Sequence, residues 1–146
     1  MHEINYRNII DRISKIRESA NSFIEQELSD RGLEGIVPAH GSVFAFLFQQ
    51  ERPVPITSLV KKIGRAKSTV TGIVKTLERH GYVFRQESPQ DARSSQIGLT
   101  EKGWAIQDDF TQISHLLVER VYGDMPREDR KRVVELLAQI EMNLKS

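Results

Sequence analysis

The chain contains no cysteine, which excludes disulfides, a thiolate redox switch and zinc sites built on cysteine. No apolar run approaches the roughly 20 residues needed to span a bilayer. The opening MHEINYRN lacks the basic-then-apolar signature of a secretion signal. A cytoplasmic location without membrane contact is therefore expected. The histidines His2, His40, His80 and His115 are widely spaced and form no HxxxH pair, so neither a metal nor another cofactor is expected. No Ser/His/Asp set, phosphate loop or paired-carboxylate motif is present, and Asp108-Asp109 and Glu128-Asp129 fall on polar helix faces. An enzyme is not expected. Low-complexity segments are absent too, and with them any reason to expect a disordered chain.

What is present is one domain's worth of ordinary globular sequence: 146 residues, 38% hydrophobic and 28% charged. The net charge of +1 conceals a strong asymmetry. Residues 1–51 and residues 86–146 each balance to −3, whereas residues 52–85 hold eight basic side chains against the single acid Glu78, a balance of +7. A basic segment between acidic flanks is the electrostatic footprint of DNA binding. A lysine-rich solvated helix face would give the same count.

Periodicity supplies the elements. Ile9, Ile10, Ile13, Ile16, Ala20, Phe23, Ile24 and Leu28 fall at helical spacing between Ile4 and about Leu28. Gly32 and Gly35 break that pattern, and a second helix from near Pro38 runs through Val43, Phe44, Leu47 and Phe48. Pro53 and Pro55 end it. Thr57 reads as the N-cap of a short third helix that Gly64 stops. A fourth helix, from near Ala66 to about His80, carries one apolar stripe of Val70, Ile73, Val74 and Leu77. Two short helices about a glycine turn form a helix-turn-helix candidate.

Tyr82–Arg85 and Ser95–Leu99 read as strands around the turn-rich segment 87–93, a hairpin with a long loop. Thr100 can cap a long fifth helix containing Trp104, Phe110, Ile113, Leu117 and Val121. After Gly123, Pro126 opens a sixth with Val133, Leu136, Leu137, Ile140 and Leu144 on one side. The fold class expected is mainly α with a small β-hairpin wing: a winged helix-turn-helix with N- and C-terminal dimerisation helices.

The fourth helix, with its stripe inward, turns Lys67, Ser68, Thr71, Gly72, Lys75 and Arg79 outward, a small or basic face suited to the roughly 12 Å wide major groove. Ser68 and Thr71 are short enough to reach base edges, and Lys75 and Arg79 fit phosphates. Gly72 either lets the backbone approach the duplex or is an exposed weak point. Arg93 at the loop tip suits the minor groove, with Asp91 placed to orient it; a surface pair is the plainer alternative.

The run from Leu59 to Gly103 resembles the core of the MarR family of bacterial transcriptional regulators. The features carrying the resemblance are Ser68-Thr69-Val70-Thr71, Leu77-Glu78-x-x-Gly81, Arg85, Asp91-x-Arg93 and Leu99-Thr100-x-x-Gly103. The flanking helices match the family's layout, so the resemblance covers nearly the whole chain. It implies a homodimer on a pseudo-palindromic operator of double-stranded DNA, with a repressor released by a small aromatic or anionic effector. It implies a single domain over 1–146, with 37–100 as the DNA-binding region and 1–36 and 101–146 as the dimerisation region. The DNA-contacting set is then Arg65, Lys67, Ser68, Thr69, Thr71, Gly72, Lys75, Arg79, Arg85, Asp91 and Arg93. Two positions depart from the pattern: Ala66 stands where relatives carry Ser or Asp, and Gly72 where many carry arginine.

An effector pocket is expected where the first two helices meet the fifth, lined by Arg17, His40, Phe44 and Phe48. Arg17 would pair an anion, and His40 would titrate near neutral pH. Phe44 and Phe48 at i, i+4 also read as plain core. Apolar stripes on the terminal helices exceed what a compact monomer hides, which points to a symmetric dimer. The rival function is a winged helix used as a protein-interaction module or adaptor that binds no DNA.

Overall fold

The computed structural model describes residues 4–88, 90 and 94–145. Helices dominate. α1 covers Ile9–Asp30, α2 Gly41–Phe48, α3 Ile56–Ile63, α4 Lys67–Arg79, α5 Glu101–Ala105, α6 Gln107–Tyr122 and α7 Arg127–Lys145. Three short strands, β1 Val54–Pro55, β2 Val83–Glu87 and β3 Ser95–Leu99, form an antiparallel sheet in the order β1-β3-β2. The chain divides into two compact units, Met1–Ile113 and Ser114–Ser146.

In the first unit the apolar stripes meet as the periodicity requires. Val43, Phe44, Leu59, Val70, Val74, Leu77 and Ile97 all reach 0% exposure, which joins α2, α3, α4 and β3 in one core. Phe44 anchors it, with its ring stacked at 5.7 Å on Phe48 and edge-on at 5.8 Å to Tyr82. Arg31, just past α1, is the bolt to α6: one guanidinium nitrogen donates to Asp109 Oδ1 at 2.9 Å and to Gln112 Oε1 at 2.8 Å.

Three local expectations are corrected. The Arg52–Ile56 stretch is more than a helix stop, because Val54 and Pro55 pair with Ile97 and Gln96 and make the wing's sheet three-stranded. Pro55 sits on an edge strand, where its missing N–H costs no ladder bond. α3 starts at Ile56 rather than after Thr57, because Pro55, with φ −58° and ψ 142°, already turns the chain into the helix. The long fifth helix is two: the backbone bends at Ile106, with φ −91° and ψ 2°. That bend keeps the Ile106 side chain in the core at 7% exposure.

The second unit is a helical hairpin. Gly123 takes a left-handed φ of 53° at the turn. Arg130 locks that turn by donating from Nε to the Met125 carbonyl at 2.8 Å and from Nη2 to the Gly123 carbonyl at 3.2 Å. α7 buries none of its described residues, and Val134, Leu137 and Met142 are 53%, 49% and 68% exposed. No helix among the described residues is long and apolar enough to cross a membrane.

Candidate nucleic-acid interface

The interface is built on the turn between α3 and α4. Gly64 adopts a left-handed φ of 69° and sends its N–H to the Val60 carbonyl at 3.1 Å, which ends α3 sharply. Ala66 is the N-cap of α4 and, with no side-chain acceptor, caps nothing. From there α4 turns Val70, Val74 and Leu77 wholly inward. The opposite face follows from that geometry: Lys67, Ser68, Gly72, Lys75 and Arg79 are exposed, and Thr71 is half-buried at its edge. Nothing lies within 4 Å of where a β-carbon on Gly72 would stand. The Thr76 hydroxyl bonds back to the Gly72 carbonyl at 3.1 Å.

The C-terminal end of α4 is fastened from outside. Lys102 of α5 donates from Nζ to the His80 carbonyl at 2.7 Å and stands 4.5 Å above the Tyr82 ring, so a cation meets the negative end of the helix. Thr100 donates to the Gly81 carbonyl at 2.5 Å and accepts the Gly103 N–H at 3.1 Å, capping α5 while tying it to the end of α4. The Tyr82 hydroxyl donates to the Glu34 carbonyl at 2.8 Å. Burial pushes the Tyr82 phenol above its ordinary value, and the Glu34 carboxylate adds to that.

The charged residues named for DNA contact fall into three groups, and Thr69, exposed on α4, faces the cavity described below. Arg65, Lys67, Lys75 and Arg79 are each exposed and, among the described residues, enter no ion pair. Arg85, on β2, is partly engaged, with its Nε 3.7 Å from Glu78 Oε2 of α4, so wing and helix are tied by a charge pair. Asp91 and Arg93 lie outside the described residues.

The four residues expected to line a pocket are separated. Phe44 is fully buried core, Phe48 packs between Phe44, Trp104 and Phe110, and His40 is only 6% exposed. His40 Nδ1 accepts the Val37 N–H at 3.2 Å, and burial, helped by nearby His80, lowers its pKa below the ordinary 6.5. Arg17 instead opens onto a cavity of about 250 Å³ shared with Asn21 of α1, Ser42 of α2, Arg65, and Thr69 and Ile73 of α4. Asn21 and Ser42 were not foreseen as lining residues. Arg17 and Asn21 stand one helical turn apart, which marks a shared face, but no sequence signal brings Ser42 beside them.

These features match known proteins. The MarR family model matches residues 46–95, which hold the helix-turn-helix. The transcriptional regulator YkoM of Bacillus subtilis is 25% identical over 116 residues, 80% of this chain and 75% of its own length. The transcriptional regulator SarZ of Staphylococcus haemolyticus is 30% identical over 95 residues, 65% of this chain and 63% of its own length, so this chain spans less than two thirds of SarZ. Among solved structures, a MarR transcriptional regulator from Methanosarcina mazei superposes with a TM-score of 0.75 at 25% identity, covering 95% of this chain and 98% of its own. MepR of Staphylococcus aureus, solved in complex with DNA, has a TM-score of 0.80 at 22% identity, covering 97% and 99%. The glycine-limited turn, the small and basic outer face of α4, the wing and these relatives agree: the chain is similar to MarR-family transcriptional regulators, and the family model matches its helix-turn-helix segment.

Proposed function

We propose that the chain is a sequence-specific DNA-binding repressor of the cytoplasm, not an enzyme, acting as a homodimer on a pseudo-palindromic operator. The observation that carries this reading is the division of α4 between the fully buried Val70, Val74 and Leu77 and an exposed face of small and basic residues. A helix entering the major groove needs short side chains near the base edges and cations at the rim. Lys67, Ser68 and Thr71 are the readers, and Lys75, Arg79 and Arg85 meet phosphates. Residues 37–100 form the DNA-binding region, and 1–36 with 101–146 the dimerisation region. The exposed apolar side chains of α1, Ile9, Ile10 and Ile16 among them, and separately those of α7, Val134 and Leu137 among them, are faces a second copy would cover. Two copies related by a two-fold would set their α4 helices about one duplex turn, roughly 10 bp, apart.

The cavity beside Arg17 suits a small anionic effector. It offers two guanidinium groups, hydroxyl and amide donors from Ser42, Thr69 and Asn21, and an apolar wall from Ile73. A similar fold supports the DNA half of the reading, MepR being seen with DNA, and PcaV of Streptomyces coelicolor, seen with its natural ligand, supports the effector half.

The test is binding of the full chain to the DNA upstream of its own gene over a range of salt concentrations. The affinity should fall steeply and linearly in log–log form, as release of several counterions requires. No binding at low salt would leave the protein-interaction module as the better reading.

A further inference from the structure

Trp104 is the only tryptophan of the chain, and it stays 40% exposed although its ring packs 5.9 Å from that of Phe48. It lines a cavity of about 150 Å³ between the end of α2, the strands of the wing and α5. Phe84 and Pro53 line the same cavity. Phe84 pairs with Gly98 across β2 and β3, and a β-carbon on Gly98 would stand 2.6 Å from Phe84 Cζ and 3.2 Å from Pro53 Cγ. The missing side chain of Gly98 is therefore what lets both rings close over β3. Glu51 and Arg52 bring opposite charges to this apolar hollow, and among the described residues neither enters an ion pair. The cavity shares no lining residue with the one beside Arg17 and contains none of the residues named for DNA contact.

An unpaired carboxylate beside an unpaired guanidinium selects by charge. A simple anion gains from Arg52 and is repelled by Glu51, and a simple cation meets the reverse. A small zwitterion satisfies both with charge-assisted bonds. The space is the share of about five waters at roughly 30 Å³ each, which suits a branched aliphatic side chain or a phenyl ring. We propose that this cavity binds a free α-amino acid with an apolar side chain. Its carboxylate meets Arg52, its ammonium meets Glu51, and its side chain packs on Phe84, Pro53 and Trp104. Glu51 and Arg52 are both exposed, so each charge contact is modest and recognition comes from requiring the two together. The site does not depend on the DNA and effector readings above.

Because Trp104 is the sole tryptophan, its emission reports directly on this wall. The experiment titrates the full chain with L-leucine and L-phenylalanine, and with isocaproate and isoamylamine, which keep the apolar body of leucine and one charge each. The expected result is a saturable change in Trp104 emission with both amino acids in the millimolar range. The two single-charge analogues should bind about tenfold more weakly or worse, as loss of one charge-assisted bond requires. Glu51→Gln should abolish the preference for leucine over isocaproate, Arg52→Gln the preference over isoamylamine, and Arg17→Ala should change neither. No saturable response to either amino acid, by emission or by calorimetry, overturns the proposal. So does isocaproate binding as tightly as leucine, which would leave Glu51 without a role. Leucine binding that is lost in Arg17→Ala and kept in Arg52→Gln also overturns it, by moving the ligand to the other cavity.

Discussion

Gly103 lies so close beneath the Tyr82 carbonyl that a β-carbon there would overlap the oxygen, and Leu99 Cδ2 would stand only 2.9 Å away. The glycine of the Leu99-Thr100-x-x-Gly103 motif is thus set by packing: α5 must pass directly under the strand that leaves α4. Gly103→Ala should cost about 3 kcal/mol, the upper range for forcing a methyl into a filled core. Urea unfolding would show a lower midpoint at unchanged slope, and an unaltered midpoint would mean the junction can relax.

Gly72 should respond in the opposite sense. A β-carbon there meets no neighbour, and the backbone is ordinary helix. Gly72→Ala should therefore raise stability by roughly 0.5–1 kcal/mol through helix propensity. If operator affinity falls at the same time, the glycine serves close approach of α4 to the duplex. If affinity holds, it is an exposed weak point.

These two glycines show what the residues revealed in advance. The helix-turn-helix was legible because Gly64 and Gly81 punctuate a clean stripe of Val70, Ile73, Val74 and Leu77, a pattern set by local geometry. β1 was not legible: two residues ending in a proline carry no period, and only pairing with Ile97 and Gln96 makes them a strand. The bend at Ile106 has neither glycine nor proline to announce it. Ile106 at the bend is buried in the core, a tertiary contact that no local pattern announces. The cavity failed for a related reason. Phe44 is equally apolar as core or as pocket wall, and Arg17, Ser42 and Arg65 meet only after three helices have packed.

His40 makes stability depend on pH in a defined direction. The folded protein disfavours its charged form, because burial removes it from water and nearby His80 adds to that, so its pKa lies below 6.5. Between that lowered value and 6.5 the unfolded chain binds more protons, and stability rises with pH. The contribution is complete above pH 6.5 and shrinks as pH falls below it. Urea melts from pH 8 to pH 5 should show this decline, and His40→Gln should flatten it. An acid limb of equal steepness in the variant would assign the decline to carboxylates instead.

Ser68 and Lys75 share one face of α4 but should fail differently. Lys75→Ala should weaken operator and unrelated DNA alike and reduce the salt slope by about two per dimer, because each protomer then neutralises one phosphate fewer. Ser68→Ala should leave the slope alone and narrow the gap between operator and unrelated DNA by about 1–3 kcal/mol per base position read. Fluorescence anisotropy at three or four salt concentrations separates the two. An unchanged slope for Lys75→Ala would place that ammonium away from any phosphate.

Leu137, 49% exposed on a helix that buries none of its described residues, tests the dimer. In the proposed dimer a symmetric contact meets each substitution twice, so Leu137→Glu would place two carboxylates in one apolar seam. The dimer dissociation constant should rise by roughly 100-fold, about 2.7 kcal/mol, as read by sedimentation. Folding of the first unit should persist, because its core of Phe44, Leu59 and Val70 lies outside residues 114–146. Operator affinity should fall with the dimer, because linking two half-site contacts raises the effective concentration of the second. A variant that remains dimeric at the same concentrations would remove α7 from the interface and leave the apolar stripe of α1 to account for association.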